Sequence, residues 1–115
     1  MMDSFVRDRL PPVGQQPEFL LLDYPERLNA ATELLAGGAP GDLAIVNDHG
    51  RWTYADLDGF SGRIARLLVE EEGLVPGNRV LLRGPNGYTM FACWLGILKA
   101  GGVAVTTMPL LRPGE

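Results

Sequence analysis

The strongest constraint on the fold sits in the last third of the chain. Arg79-Val80-Leu81-Leu82-Arg83 reads as a strand, Gly84-Pro85-Asn86-Gly87 as a turn and Tyr88 to Ala100 as a helix. Gly101-Gly102 closes that helix, and Val103-Ala104-Val105-Thr106-Thr107 starts another strand. Strand, helix and strand in this order form a βαβ unit, because parallel pairing needs a crossover of about a dozen residues or more. The helix carries Met90, Phe91, Ala92, Cys93, Trp94, Leu95, Ile97 and Leu98, so it is apolar nearly all round and requires cover on more than one side. Val103 to Val105 is apolar on both faces, the pattern of a central strand buried on both sides. The fold class is therefore α/β. Only the eight residues Met108 to Glu115 follow, too few to supply the missing neighbours, so the expectation is the opening piece of a larger domain with an incomplete sheet.

The preceding half supplies a β-hairpin and the first of two main helices. Leu43-Ala44-Ile45-Val46 and Arg51-Trp52-Thr53 are the hairpin strands, with Asn47-Asp48-His49-Gly50 as turn chemistry between them. Thr53 to Asp56 is a capping box with Asp as the acid. Leu57, Phe60, Ile64, Leu67 and Leu68 then form one apolar stripe, while Arg63, Arg66 and Glu70 point away from it. Gly73, Leu74 and Pro76 end this helix. A shorter helix spans Leu28 to Leu35 and stops at Gly37-Gly38, as a left-handed C-terminal glycine would require. Residues 1–27 lack a sustained period and mix Pro11, Pro12, Gly14 and Pro17 with apolar residues, which suggests an extended arm. The organisation expected is an arm over 1–27 and a single portion of a domain over 28–115.

Charge and composition exclude several function classes. Ten Lys+Arg against fourteen Asp+Glu give a net charge of −4 without clustered cations, so a nucleic-acid partner is not expected. One cysteine cannot build a disulfide framework or a multi-thiolate metal site. Asp42, Asp48, Asp56 and Asp58 do not follow a metal-loop spacing, so no metal site is expected. The longest uncharged stretch, Gly84 to Leu98, is shorter than the roughly 20 residues of a membrane span. Asp3, Arg7, Asp8 and Arg9 occupy the place of a secretory signal's apolar core, so no membrane partner and a cytoplasmic location are expected.

No catalytic set emerges from the residues themselves. The turn Gly84 to Gly87 could hold an anion on backbone N–H groups, but with no Lys or hydroxyl partner it reads as a plain turn with Asn86 as helix cap. His49 reads as a turn residue and Cys93 as a small core residue. Trp52, Trp94 and Tyr88 either line an aromatic pocket or pack the core, and packing is the simpler reading. Arg79 and Arg83 project to solvent or pair with an acid.

Three stretches, in order, resemble the AMP-forming adenylating enzymes: acyl-CoA synthetases, peptide-synthetase adenylation domains and luciferases. Arg51-Trp52-Thr53-Tyr54-Ala55-Asp56-Leu57 resembles the family's Thr-Tyr-x-acid-Leu signature. Gly77-Asn78-Arg79-Val80 with Gly84-Pro85-Asn86 resembles a Gly-Asp-Arg-Val to Leu-Pro-Asn segment, with Asn78 in place of the usual Asp. Leu98-Lys99-Ala100-Gly101-Gly102 reaching Pro109 resembles a second signature. Residues 5–12, 22–31 and 108–112 are similar to aromatic acyl-CoA ligases, above all benzoate- and 2-aminobenzoate-CoA ligases.

The resemblance implies the N-terminal part of the ligase large domain. It also implies an enzyme that couples an aromatic carboxylate to coenzyme A (CoA) with ATP and Mg²⁺, releasing AMP and pyrophosphate. The family's phosphate loop, ribose-binding Asp and catalytic Lys have no counterpart in these 115 residues, so this stretch alone is expected to be inactive, and Lys99 is not that catalytic lysine. Some relatives place a basic residue near CoA directly after the proline of the second signature. Leu110 stands there, and Arg112, two residues on, is a candidate contact for a CoA phosphate, with a plain surface arginine as the alternative. The other functional readings are a stand-alone interaction module and a peptide-synthetase adenylation domain. An open edge beside Val103 to Thr107 is expected to recruit a second copy.

Overall fold

The computed structural model describes residues 8–15 and 25–110. Beyond a short 3₁₀ turn at Val13–Gln15, the elements run α1 (Ala30–Ala36), β1 (Leu43–Asn47), β2 (Gly50–Thr53), α2 (Tyr54–Glu70), β3 (Arg79–Arg83), α3 (Tyr88–Lys99) and β4 (Val103–Thr107). The architecture is α/β with an incomplete sheet: β1 and β2 form an antiparallel hairpin, and β3 and β4 form a separate parallel pair. The arm expected over 1–27 lies largely outside the described residues.

Local chemistry explains most element boundaries. The hairpin register pairs Asn47 with Gly50, leaving Asp48 and His49 as a two-residue loop, tighter than the four-residue turn the sequence suggested. At α2 the capping box closes: the Thr53 hydroxyl accepts from the Asp56 N–H at 3.2 Å, and the Asp56 carboxylate accepts from the Thr53 N–H at 2.9 Å. Gly73, at φ +64°, and Gly101, at φ +78°, occupy the left-handed region behind α2 and α3, where a side chain would be strained.

The first helix differs from its expected form at both ends. It starts at Ala30 rather than Leu28, because Asn29 is the cap: its side-chain oxygen accepts from the N–H groups of Ala31 and Thr32. Leu28 lies outside the helix and is exposed. At the other end Gly37 is right-handed, with φ −70°, so the left-handed glycine stop is not used. Gly38 is required for a different reason: the Tyr54 ring lies where its Cβ would be.

The core forms where α2 and α3 cross beside α1. Ala31, Leu57, Ala92 and Leu95 are buried together, with Phe60, Ile64, Tyr88 and Leu98 packed around them. The helices approach closely at Gly96, where a Cβ would stand 3.0 Å from the Ser61 carbonyl oxygen and 2.7 Å from the Ile64 side chain. Buried Ser61 returns its hydroxyl to the Asp58 carbonyl at 3.1 Å, so it enters the core with its polar group bonded. Leu67 departs from the expected stripe: it is exposed and borders an open cleft that also touches Leu81.

The parallel pair departs further. Its register sets Arg79 opposite Val103, Leu81 opposite Val105 and Arg83 opposite Thr107, so these residues share one face. Helix α3 packs on the sheet, and Val80, Leu82 and Ala104 are half-buried. On the other face Leu81 is 68% exposed, Val103 41% and Val105 37%. The expectation of a central strand buried on both sides is therefore not met, because among the described residues β4 has β3 as its sole strand neighbour and nothing covers that outer face.

Candidate functional site

Parallel strands in an α/β unit gather their connecting loops at the carboxyl ends, where ligands enter such folds. Here the Gly84–Gly87 turn leaves the carboxyl end of β3 and separates two cavities. One, of about 590 Å³, lies between this turn and the hairpin and is walled by Trp52, His49, Tyr88 and Cys93. The other, of about 550 Å³, lies toward the end of β4 and is walled by Phe91, Trp94, Thr107 and Met108. Leu82, Gly84, Asn86 and Met90 border both.

Aromatic contacts assemble the first cavity's wall. Trp52 from β2 stacks on Tyr88, with centroids 4.6 Å apart and planes 4° from parallel. Phe60 from α2 meets Tyr88 at 5.4 Å with a 30° tilt. The Tyr88 hydroxyl donates to the Asp56 carbonyl at 2.9 Å, so this ring joins the hairpin, α2 and α3. Desolvation raises the Tyr88 pKa, and the Asp56 charge adds to the rise, which keeps the phenol a donor. Trp52 and Tyr88 thus both pack and line a cavity, whereas Trp94 belongs to the second cavity and the edge of the core.

The single polar candidates are placed as follows. His49 is exposed in the hairpin loop, its N–H donating to the Asn47 side chain at 2.8 Å. Cys93 is half-buried and its pKa is raised by that burial, which disfavours the nucleophilic thiolate. Asn86 does not cap α3: the cap is Gly87, extended at φ 167° and ψ −179°, whose carbonyl accepts from Phe91 at 3.1 Å. Arg83, exposed as expected, also donates to the Pro109 carbonyl at 2.8 Å and so ties the segment after β4 to β3. Among the described residues no three His, Cys, Asp or Glu side chains converge as a metal cluster. Arg112 lies outside the described residues.

Several residues of the three signature stretches hold helices and strands together. Lys99, with its side chain only 16% exposed, pairs with the Asp58 carboxylate and donates to the Asp58 carbonyl at 2.9 Å, clamping α3 to α2. Asn78 accepts the Val75 N–H on its side-chain oxygen at 3.2 Å, a role an amide fills as an aspartate would. Its carbonyl accepts from Val103 at 2.8 Å and so sets the strand register. Asn29 was missed as a tie between elements. While its oxygen caps α1, its amide donates to the Leu98 carbonyl at 3.0 Å at the end of α3. An asparagine ahead of a helical run was the available signal for the cap, but nothing local foretold a partner 69 positions away.

Comparison with known proteins agrees with this construction. Residues 33–115 match the family model described as AMP-binding enzyme. Salicyl-AMP ligase / salicyl-S-ArCP synthetase of Mycobacterium tuberculosis is 37% identical over 92 residues, 80% of this chain and 14% of that protein. A plipastatin synthase subunit of Bacillus subtilis is 37% identical over 83 residues, 70% of this chain and 3% of that protein. A benzoate CoA ligase from Burkholderia xenovorans superposes with a TM-score of 0.68 at 30% identity, covering 76% of this chain and 18% of that one. The chain therefore spans less than a fifth of each of these three proteins.

Proposed function

Because the chain belongs to the AMP-binding enzyme family, we propose that it is the N-terminal part of an ATP-dependent, AMP-forming aromatic acyl-CoA ligase. The observation that carries the aromatic reading is the similarity to two proteins named for salicylate and benzoate, over 80% and 76% of this chain. Likeness over residues 5–12, 22–31 and 108–112 to aromatic acid ligases supports the same reading.

In the proposed reaction a carboxylate oxygen attacks the α-phosphorus of ATP and pyrophosphate leaves. The CoA sulfur then attacks the acyl carbon, and AMP departs with the electrons of the broken C–O bond. Such chemistry needs a polyanion held in line with a weak nucleophile. In this proposal residues 28–115 supply scaffold, and residues outside this stretch bind ATP and Mg²⁺. Arg112 contacts a CoA phosphate, and the protein works in the cytoplasm. Among the described residues no helix is long and apolar enough to cross a membrane.

The test is carboxylate-dependent ATP–pyrophosphate exchange by the protein that includes this stretch, with benzoate, salicylate and 2-aminobenzoate set against amino acids. Exchange with an aromatic acid, followed by a CoA thioester when CoA is added, is the expected result. Exchange with an amino acid alone would assign a peptide-synthetase adenylation domain, the reading favoured by the similarity to plipastatin synthase. The 115-residue chain by itself shows no exchange in this proposal, and Arg112→Ala raises the KM for CoA while leaving exchange intact. Alone, the chain self-associates through the free edge of β4, which sedimentation reads as a dimer or larger species.

A further inference from the structure

We infer that Asn86 is a site of spontaneous deamidation and isoaspartate formation, set apart from the other asparagines of these 115 residues by its neighbour and its surroundings. The sequence has four asparagines, at 29, 47, 78 and 86, and only Asn86 precedes a glycine. The fold holds the other three. Asn29 is bonded through both its oxygen and its amide, Asn47 accepts from the His49 N–H and Asn78 accepts from the Val75 N–H. Asn86 is exposed, sits in the bend between β3 and α3, and has no side-chain hydrogen bond among the described residues.

The chemistry requires the backbone nitrogen of the following residue to reach Cγ, the amide carbon of the asparagine. Gly87 presents no Cβ to obstruct that approach, and its N–H is one of the donors that a helix start leaves without an intrahelical acceptor. Hydroxide removes the Gly87 amide proton, and the nitrogen attacks Asn86 Cγ and closes a five-membered succinimide. The bond from Cγ to Nδ2 breaks, and Nδ2 leaves as ammonia after taking up a proton from water. Water then opens the ring at one carbonyl to give aspartate, or at the other to give isoaspartate, in which the backbone runs through Cγ. Hydroxide and water are the only co-reactants, and nothing is oxidised or reduced.

Both products change the candidate site. Asn86 borders the two cavities, so a new carboxylate appears in the wall they share, at the N-terminal end of α3 where the helix dipole favours an anion. The isoaspartate product also lengthens the backbone just ahead of Gly87, the helix cap.

Peptide mapping of the protein that includes this stretch, after incubation at mildly alkaline pH, tests the inference, with a parallel sample in urea. In the folded protein the Asn86 peptide is expected to convert to aspartate and isoaspartate ahead of the other three asparagine peptides combined. Isoaspartyl methyltransferase labelling should localise to the same peptide. Gly87→Ala should slow the conversion several-fold. This variant keeps the fold, because a Cβ at 87 meets nothing within 4 Å and φ 167° is ordinary extended backbone. Retention of Asn86 in the folded protein while the urea sample converts would overturn the inference. Unchanged conversion in Gly87→Ala would do the same.

Discussion

Helix α3 and the β3–β4 pair are both apolar in sequence and have different fates. Toward α2 the helix buries Ala92 and Leu95 and brings Gly96 against the Ser61 backbone. On its other side it covers one face of the β3–β4 pair, and beyond that pair Leu81, Val103 and Val105 stand open. Apolar character alone therefore does not measure stability in this molecule; a residue contributes where a second element closes over it. Burial of a side chain such as Leu contributes roughly 1.5–3 kcal/mol by taking apolar surface out of water, and the outer sheet face realises little of that.

The contrast can be broken most sharply inside the helix pair. Leu95→Ala, at a residue only 4% exposed, should cost about 2–5 kcal/mol through lost transfer energy and the cavity left behind. Urea unfolding would read this as a lower midpoint. Gly96→Ala adds only a methyl, yet its Cβ collides with Ile64 and crowds the Ser61 carbonyl. The expected loss is about 1–3 kcal/mol despite alanine's better helix propensity. Asn29→Ala removes a helix cap and the bond to the end of α3 together, and about 1–2 kcal/mol should be lost in the same measurement.

On the open face the expected change is small. Leu81→Ser should alter stability by no more than about 0.5 kcal/mol, because no cavity is made. A cost comparable to Leu95→Ala would mean that this face is covered in solution. The smallest effect concerns the α2 cap. Hydrogen bonds from the Thr53 backbone and hydroxyl lower the Asp56 pKa. The folded protein therefore binds this proton less readily than the unfolded form, and the contribution is present above the ordinary aspartate pKa. It is lost as pH falls through the folded value, so a stability–pH profile of Asp56→Asn should be flatter than wild type at the acid end.

Elements whose signals lie within a few residues were legible in the sequence. The helix of the Leu57–Leu68 stripe, the Thr53–Asp56 box, the two hairpin strands and the βαβ unit appear where periodicity and turn chemistry put them, although Leu67 leaves the stripe and the hairpin loop is tighter. Boundaries failed where one residue decided them: Asn29 begins α1 two positions late, and Gly87 rather than Asn86 caps α3. The candidate site was less legible. Trp52 and Tyr88 were recognisable as aromatics, but their stacking depends on the hairpin meeting the start of α3 across 36 positions, a distance no local period spans. Arg83 reaches the Pro109 carbonyl because the parallel register, visible only in three dimensions, sets it opposite Thr107.

By itself the sequence determined which segments become helix and strand, that β3 and β4 run parallel, and that the signatures of adenylating enzymes are present. Those properties follow from short-range sterics, capping and the length of a crossover. Only the tertiary structure decided that Lys99 clamps Asp58, that Asn29 closes two helix ends, that Gly96 is a contact point and that one apolar sheet face stays open. Each of these depends on which surfaces meet, and residues brought together from 29 to 98 or from 58 to 99 leave no mark in the spacing of either.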